Sequence, residues 1–412
     1  MSIRVFNKPA VVIGGGASAT LSSISISNNG TYHASNYGVD GFDVVDVAVG
    51  GVDSRFANLC ARNFTQLTSE ETYDVTNIGS YAFAYYNTLL SVDFPNVLQI
   101  GESAFYSCIL LETAKFESCS FVGHYAFAYC SLLSDISFPN CSTISHYAFQ
   151  NCSSLTSVEF TNVSIVGSYC LANCSELTSI SFPNASLFNN GAFQYCIKLK
   201  DVYAPNLTKA SAYCFNGCAA LVSVSLSILT DEGSNAFAGC TSLEYVSIPS
   251  ALRIASSCFS NCTSLKYIYA PKVSNIFRYG LSGCGFSKIS LGQNVSAQSI
   301  TLSIGAFASC TNLQKVLFLT PAYIIGQNCF LNCTKLESIY ISGSIACPLA
   351  GITPFSNTPI SNQALLGHYG SIYVLTGMKQ YYVANTNWLA YSDRIVEITS
   401  AQMQDIVDHW DD

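Results

Sequence analysis

The stretch Val122-Gly123-His124-Tyr125-Ala126-Phe127-Ala128-Tyr129-Cys130-Ser131-Leu132-Leu133-Ser134-Asp135-Ile136-Ser137-Phe138-Pro139-Asn140 decides the fold, because its skeleton returns along most of the chain. Taking Phe127 as anchor, the same position is filled at intervals of 22 residues by Phe83, Phe105, Phe149, Leu171, Phe193, Phe215, Phe237, Phe259 and Leu281, and then by Phe307 and Phe330. A leucine follows each anchor by six residues, from Leu89 and Leu111 to Leu313 and Leu336, apart from the irregular unit after Leu281. A cysteine follows by three: Cys108, Cys130, Cys152, Cys174, Cys196, Cys218, Cys240, Cys262, Cys284, Cys310 and Cys333, with Tyr86 in the first unit. Self-similarity at such a period marks a solenoid.

Twelve copies run from Ile78 to about Ile341. Within one copy, Leu-x-x-Val-x-Phe alternates as a short strand, with the valine and phenylalanine inward, and Pro-Asn ends it because proline cannot donate to a ladder. The Ala-Phe-x-x-Cys segment is too short for a strand and reads as a tight helical or 3-10 turn on the opposite side. A single coil buries too few large side chains to offset the entropy of ordering its backbone. Stability must come from stacking. The fold expected is therefore an α/β solenoid, a right-handed superhelix of about twelve 22-residue coils with a parallel β-sheet face and short turns opposite. The tenth copy is irregular: it is one residue short between Cys284 and Ile289, and extra residues at 293–300 lengthen the next interval to 26. A bulge or loop is expected there.

The unit resembles the BspA-like leucine-rich repeat, which Ile100, Gly101, Ala104, Phe105, Cys108 and Leu111 match directly. That resemblance implies a parallel sheet along one face and a role in adhesion or recognition. The segment Gly370 to Val374, Tyr381 to Trp388 and Arg394 to Ile398 resembles the closing cap of such solenoids. A cap is needed because the last coil would otherwise expose an apolar, unpaired edge. A second resemblance lies in residues 24–49, which are similar to a short β module of structural proteins of phages and prophages. The organisation read is a β module or attachment segment at 1–52, a helical cap at 53–77, repeats at 78–345 and a C-terminal cap at 346–412.

Composition sets limits on function. Half the residues are hydrophobic and a tenth charged, the reverse of a disordered chain. A net charge of −8 without any basic stripe argues against nucleic acid as a partner. No stretch of 18 apolar residues suggests membrane insertion, and residues 1–10 lack the apolar run of an export signal.

Several constellations compete with a purely structural reading. Val11 to Ala17, with Gly14, Gly15 and Gly16, looks like the start of a dinucleotide fold, but a Ser-rich strand pattern follows where that site needs a helix. No cofactor is assigned. Equivalent cysteines on adjacent coils would sit about 4.8 Å apart and point the same way, which suits neither a tetrahedral metal site nor a disulfide. They are read as packed thiols, as are Cys170, Cys214, Cys258 and Cys329 before the anchor and Cys119 and Cys141 after the strand. His124 and His146 share one position in neighbouring coils, beside a column of Tyr81, Tyr125, Tyr147, Tyr169, Tyr213 and Tyr279. They are read as a metal-gripping pair, for which two ligands are too few, as a pH-sensitive pair, or as simply exposed. No Ser-His-Asp or paired-carboxylate set stands out.

The outward positions of the strands carry the binding surface expected here. Asp93, Asp135, Glu159 and Asp201 punctuate a first half rich in hydroxyls, whereas Tyr203, Tyr245, Tyr267, Tyr269 and Tyr340 make the second half aromatic. Tyrosine offers contact area at low entropic cost and a polar tip. The expected function is non-enzymatic binding of a bacterial surface protein or glycan. The main reading is a virion-associated tail or fibre protein of a phage or prophage, attached to other virion proteins through its N-terminal module. The alternative is a BspA-like adhesin on the bacterial cell surface, and an enzyme built on the glycine run comes third.

Overall fold

The computed structural model describes residues 66–67, 76–292, 300–319, 323–351, 353–361 and 369–410. The module at 1–52, the glycine run, the insertion at 293–299 and, of the helical cap expected at 53–77, all but 66–67 and 76–77 lie outside them; within that cap Gln66 and Leu67 form a strand and Asn77 begins another, so these residues are extended and not helical. Two units divide the chain, residues 1–207 and 208–412.

In the first unit, strands of three residues recur once per coil at Ser91–Asp93, Thr113–Lys115, Asp135–Ser137, Ser157–Glu159, Ser179–Ser181 and Asp201–Tyr203. The first three and the last three pair in parallel without register slip, as Ser91 with Thr113 and Ser179 with Asp201, and the two groups part between Asp135–Ser137 and Ser157–Glu159. The central residue of each is turned inward: Val92, Ala114, Val158 and Ile180 are buried between more exposed neighbours. That alternation is the pleat of an extended chain carrying one apolar face. A second row of two-residue parallel strands begins each coil, at Asn77–Ile78, Gln99–Ile100, Phe121–Val122 and onward.

The arm between the rows is not the helical or 3-10 turn expected from Ala-Phe-x-x-Cys. It is a run of tight turns with positive φ two residues before and two after the anchor, for example 53° at Ser103 and 59° at Ser107 around Phe105. Those left-handed residues break any helix and aim alternate amides out of the coil. Ala104, Tyr106 and Cys108 donate back to Gly101, Ser103 and Phe105 within the coil, whereas Ser103, Phe105 and Ser107 donate at 2.7–2.8 Å to His124, Ala126 and Ala128 of the next. A buried backbone must satisfy every such group. The arm thereby becomes a third inter-coil ladder.

Inside, anchor phenylalanines stack coil upon coil: Phe105 on Phe127 at 4.9 Å and 7°, Phe127 on Phe149 at 5.3 Å and 2°. The strand-end phenylalanines Phe94, Phe116 and Phe138 form a parallel stack beside them. Asn140, Asn162, Asn184 and Asn206, following the strand-ending prolines or their equivalents, donate side-chain amides to carbonyls of the coil before.

The second unit repeats this plan, with Phe215, Phe237 and Phe259 stacked at 5.2 Å. Strands Ser223–Ser225, Tyr245–Ser247 and Tyr267–Tyr269 form one parallel sheet, and Lys288–Leu291, Lys315–Phe318, Ser338–Ile341, Ser371–Leu375 and Ile395–Ile398 form another. The two part at the irregular tenth copy, where Ile289 follows Ile268 by 21 residues instead of 22. A small cavity of about 40 Å³ remains there, lined by Ile254, Ile268, Val273, Ile276, Ile289 and Ile300 among others. Parallel pairing continues past Ile341 through two further strands, so residues set apart as a cap at 346–412 are in part coil. They close on an aromatic cluster of Phe355, Tyr382, Trp388 and Tyr391, in which the Trp388 indole donates to the carbonyl of Cys347.

Candidate binding face

Outward strand residues are positioned by the same pleat that buries their neighbours. In the first unit Asp135, Glu159, Asp201 and Tyr203 are exposed, and Asp93 is half-buried. Burial raises the Asp93 carboxyl above its ordinary value, against the pull of Lys115, its register partner, and with the push of Glu117. In the second unit Tyr245, Tyr267 and Tyr269 are exposed. Register places Tyr267 directly beside Tyr245 and Tyr269 beside Ser247. The Tyr245 and Tyr267 rings lie 5.4 Å apart and 6° from parallel, stacked on each other across neighbouring strands. Tyr340 differs. It is half-buried, stacked on Tyr373 at 4.8 Å and met edge-on by Trp410 at 6.1 Å. Sequence reasoning missed that cover because Trp410 lies 70 residues away and outside the repeat.

The cysteine ladder is confined to the core. Cys108, Cys130, Cys152, Cys174, Cys196, Cys218, Cys240, Cys262, Cys284, Cys310 and Cys333 are all buried thiols. Ladder thiols donate to the anchor carbonyl of the coil before, as Cys130 to Phe105 at 3.1 Å and Cys262 to Phe237 at 3.2 Å. A small side chain that can both pack and donate fits this place, where an alanine would leave the carbonyl one partner short. Burial pushes the Cys196 and Cys240 thiols up to about 12, which leaves essentially no thiolate at neutral pH. Cys119 and Cys141, also raised to about 12 by burial, donate to Phe121 and Thr143.

His124 and His146 stack at 5.2 Å and 15°. His146 Nδ1 accepts the Ser168 amide at 2.7 Å, and burial, with His124 beside it, lowers its pKa. The tyrosine column next to them stacks too, Tyr125 on Tyr147 at 4.6 Å. These tyrosines occupy the left-handed positions, unusual for a bulky residue. Where the column ends, Gly191 lies under the Tyr169 ring, and a Cβ there would come within 2.4 Å of it.

One buried acid was not anticipated. Glu232 stands where other coils place Ile100, Val122 or Ile254 and is 1% exposed. One of its oxygens accepts the Ala255 amide at 3.0 Å, and the other has no hydrogen-bond partner. Burial pushes its carboxyl up to about 7, against the pull of those amides and Arg253 and with the push of Asp231. Outside it, Asp231 bridges Lys209 and Arg253 on the coils either side. Among the described residues no group of three His, Cys, Asp or Glu side chains is placed to hold a metal ion, and no helix is long and apolar enough to cross a membrane.

A face of this kind, on coils of this spacing, can be compared with known proteins. The BspA type leucine rich repeat region matches this chain at residues 53–174, 120–244, 164–272 and 230–348. The chain belongs to that family. No curated protein matches it. Among solved structures, this BspA-type chain is similar to a leucine-rich repeat protein from Bacteroides ovatus ATCC 8483, with 24% identity over 69% of this chain and 90% of that one and a TM-score of 0.45. A leucine rich cell surface protein from Faecalibacterium prausnitzii A2-165 is similar at 21% identity over 69% and 89%, with a TM-score of 0.39. A leucine-rich repeat protein from Eubacterium ventriosum ATCC 27560 gives 20% over 68% and 86%, with a TM-score of 0.41.

Proposed function

We propose that this BspA-type solenoid is a non-enzymatic binding protein of the bacterial cell surface, and that it engages a surface protein or glycan through Tyr245, Tyr267 and Tyr269. The observation that carries the reading is the stacked pair Tyr245 and Tyr267, both exposed and in register on neighbouring strands. Stacking holds the rings in place, so little entropy remains to be lost on binding. Hydroxyl tips beside an apolar edge suit sugar rings and protein epitopes alike. Family membership supports the adhesin reading over the virion-associated one, which rests on the N-terminal segment outside the described residues. Residues Asp93, Asp135, Glu159, Asp201 and Tyr203 contribute a second, more polar stretch of the same kind in the first unit.

Binding of the purified protein to whole bacterial cells and to arrayed cell-wall glycans tests this. The triple variant Tyr245→Ala, Tyr267→Ala, Tyr269→Ala is expected to bind at least tenfold more weakly with an unchanged melting temperature. Equal binding by the variant removes the tyrosine face from the account. Antibody labelling of intact producing cells should find the protein on their surface, whereas recovery in a particle fraction would favour the virion reading.

A further inference from the structure

Trp410 lies on the sheet face of the second unit. In strand Lys315–Phe318 the pleat turns Lys315 and Leu317 outward and Val316 and Phe318 inward. Leu317 is nonetheless only 1% exposed. Its register neighbours are Ser290 on one side and Tyr340 on the other. Trp410 brackets it, since its main-chain carbonyl accepts from Lys288 Nζ and its ring meets Tyr340 edge-on. A covered leucine at an outward position, flanked by two contacts to one tryptophan, marks a patch that takes an aromatic residue.

The charges agree with that geometry. Lys288 and Lys315 are adjacent in register on the patch. Trp410 stands two residues beyond the helix Ser400–Asp408, which is opened by a capping box of Thr399 and Gln402 and carries Asp405 and Asp408. Asp411 and Asp412 follow the tryptophan in sequence. The residue seated on this lysine-and-tyrosine patch is thus an aromatic one from an acidic stretch of sequence, and opposite charge between a patch and a segment selects partners and speeds their encounter.

We propose that Lys288, Lys315, Leu317, Tyr340 and Tyr373 form a docking surface for an acidic polypeptide segment bearing an aromatic side chain, with the chain's own Trp410 as its resident occupant. A partner's segment of the same chemistry binds by displacing Trp410. The surface is separate from Tyr245, Tyr267 and Tyr269, and its occupancy does not depend on what that face binds.

The test uses the full chain and a fluorescently labelled peptide of residues 400–412. Anisotropy titration of the unaltered chain should show weak binding, because the resident segment competes. Trp410→Ala, at a partly exposed position, should bind the peptide at least tenfold more tightly, and adding Tyr340→Ala or Lys288→Glu should cancel that gain. A peptide with alanine in place of its tryptophan should not bind. A second variant guards against misfolding: Lys288→Glu alone should shift tryptophan emission to the red as Trp410 is released, with the melting temperature unchanged. The proposal is overturned when Trp410→Ala binds no better than the parent, or when its gain survives Tyr340→Ala and Lys288→Glu together.

Discussion

The arm and the sheet face of each coil obey different rules. Along the arm, anchor and cysteine hardly vary, and the ladder of hydrogen bonds runs on where the sheet does not. Strands Asp135–Ser137 and Ser157–Glu159 fall in different sheets, yet Tyr125, Phe127 and Tyr129 still donate to His146, Ala148 and Gln150 at 2.7–3.1 Å. Tyr267–Tyr269 and Lys288–Leu291 likewise part, while Ser257, Phe259 and Asn261 remain bonded to Arg278, Gly280 and Ser282 at 2.8–2.9 Å. The outward sheet positions change from coil to coil, through serine, aspartate, lysine and tyrosine. A solenoid whose coils are held by the arm and by the row of two-residue strands, which stays paired across both partings, leaves the outward face free to diversify, and recognition is expected there.

Substitutions on either side should separate the two roles. The largest effect is expected at the arm's anchor: Phe149→Ala, buried and stacked on Phe127, should cost about 3–5 kcal/mol in urea unfolding. A loss below about 1 kcal/mol would place stability elsewhere. Next comes Glu232, whose carboxyl is raised above its unfolded value of 4.5 to about 7. The folded state then holds the proton more tightly than the unfolded one. Stability should be highest below pH 4.5 in this respect, fall as the pH rises through the interval to 7, and level off above it, by roughly 3 kcal/mol at most. Glu232→Gln should flatten that slope when melting is followed from pH 5 to 8, and an unchanged slope would exclude the buried carboxyl as its source.

A smaller effect is expected from the ladder thiols. Cys152→Ala removes a donor to the Phe127 carbonyl and should cost about 1–2 kcal/mol. In the native protein Cys152, buried and raised in pKa, should resist maleimide labelling until the chain unfolds, as read by peptide mass mapping. The least change in stability belongs to the face. Tyr267→Ala, at a position 47% exposed, should alter stability by less than about 0.5 kcal/mol while weakening binding. A stability loss as large as that of Phe149→Ala would abolish the distinction between arm and face.

The period, the inward residues and the burial of the thiols are legible in the sequence because each is repeated in register, so a single exception such as Leu171 does not obscure them. The conformation of the arm is not. Its left-handed positions are filled by Asn151, Asn173, Gly217 and Gly239, which announce positive φ, but also by Tyr81, Tyr125 and Tyr147, which conceal it. Stacking between neighbouring rings, a property of the assembled coils and not of one, accompanies those tyrosines. The face was read in part: Tyr245, Tyr267 and Tyr269 lie where alternation puts them, whereas Tyr340 is covered by a residue that no periodicity connects to it. Glu232 was visible as a charge in an apolar column, but its burial depends on both adjacent coils.

Amide hydrogen exchange compares arm and sheet in one experiment. If the arm holds the coils together, the amides of Phe127, Phe149 and Phe259 should exchange only through opening of the whole unit, and those of Ser157–Glu159 and Lys288–Leu291, at the partings of the sheet, should exchange sooner. Anchor amides that exchange as fast as these strand amides, or faster, would contradict it.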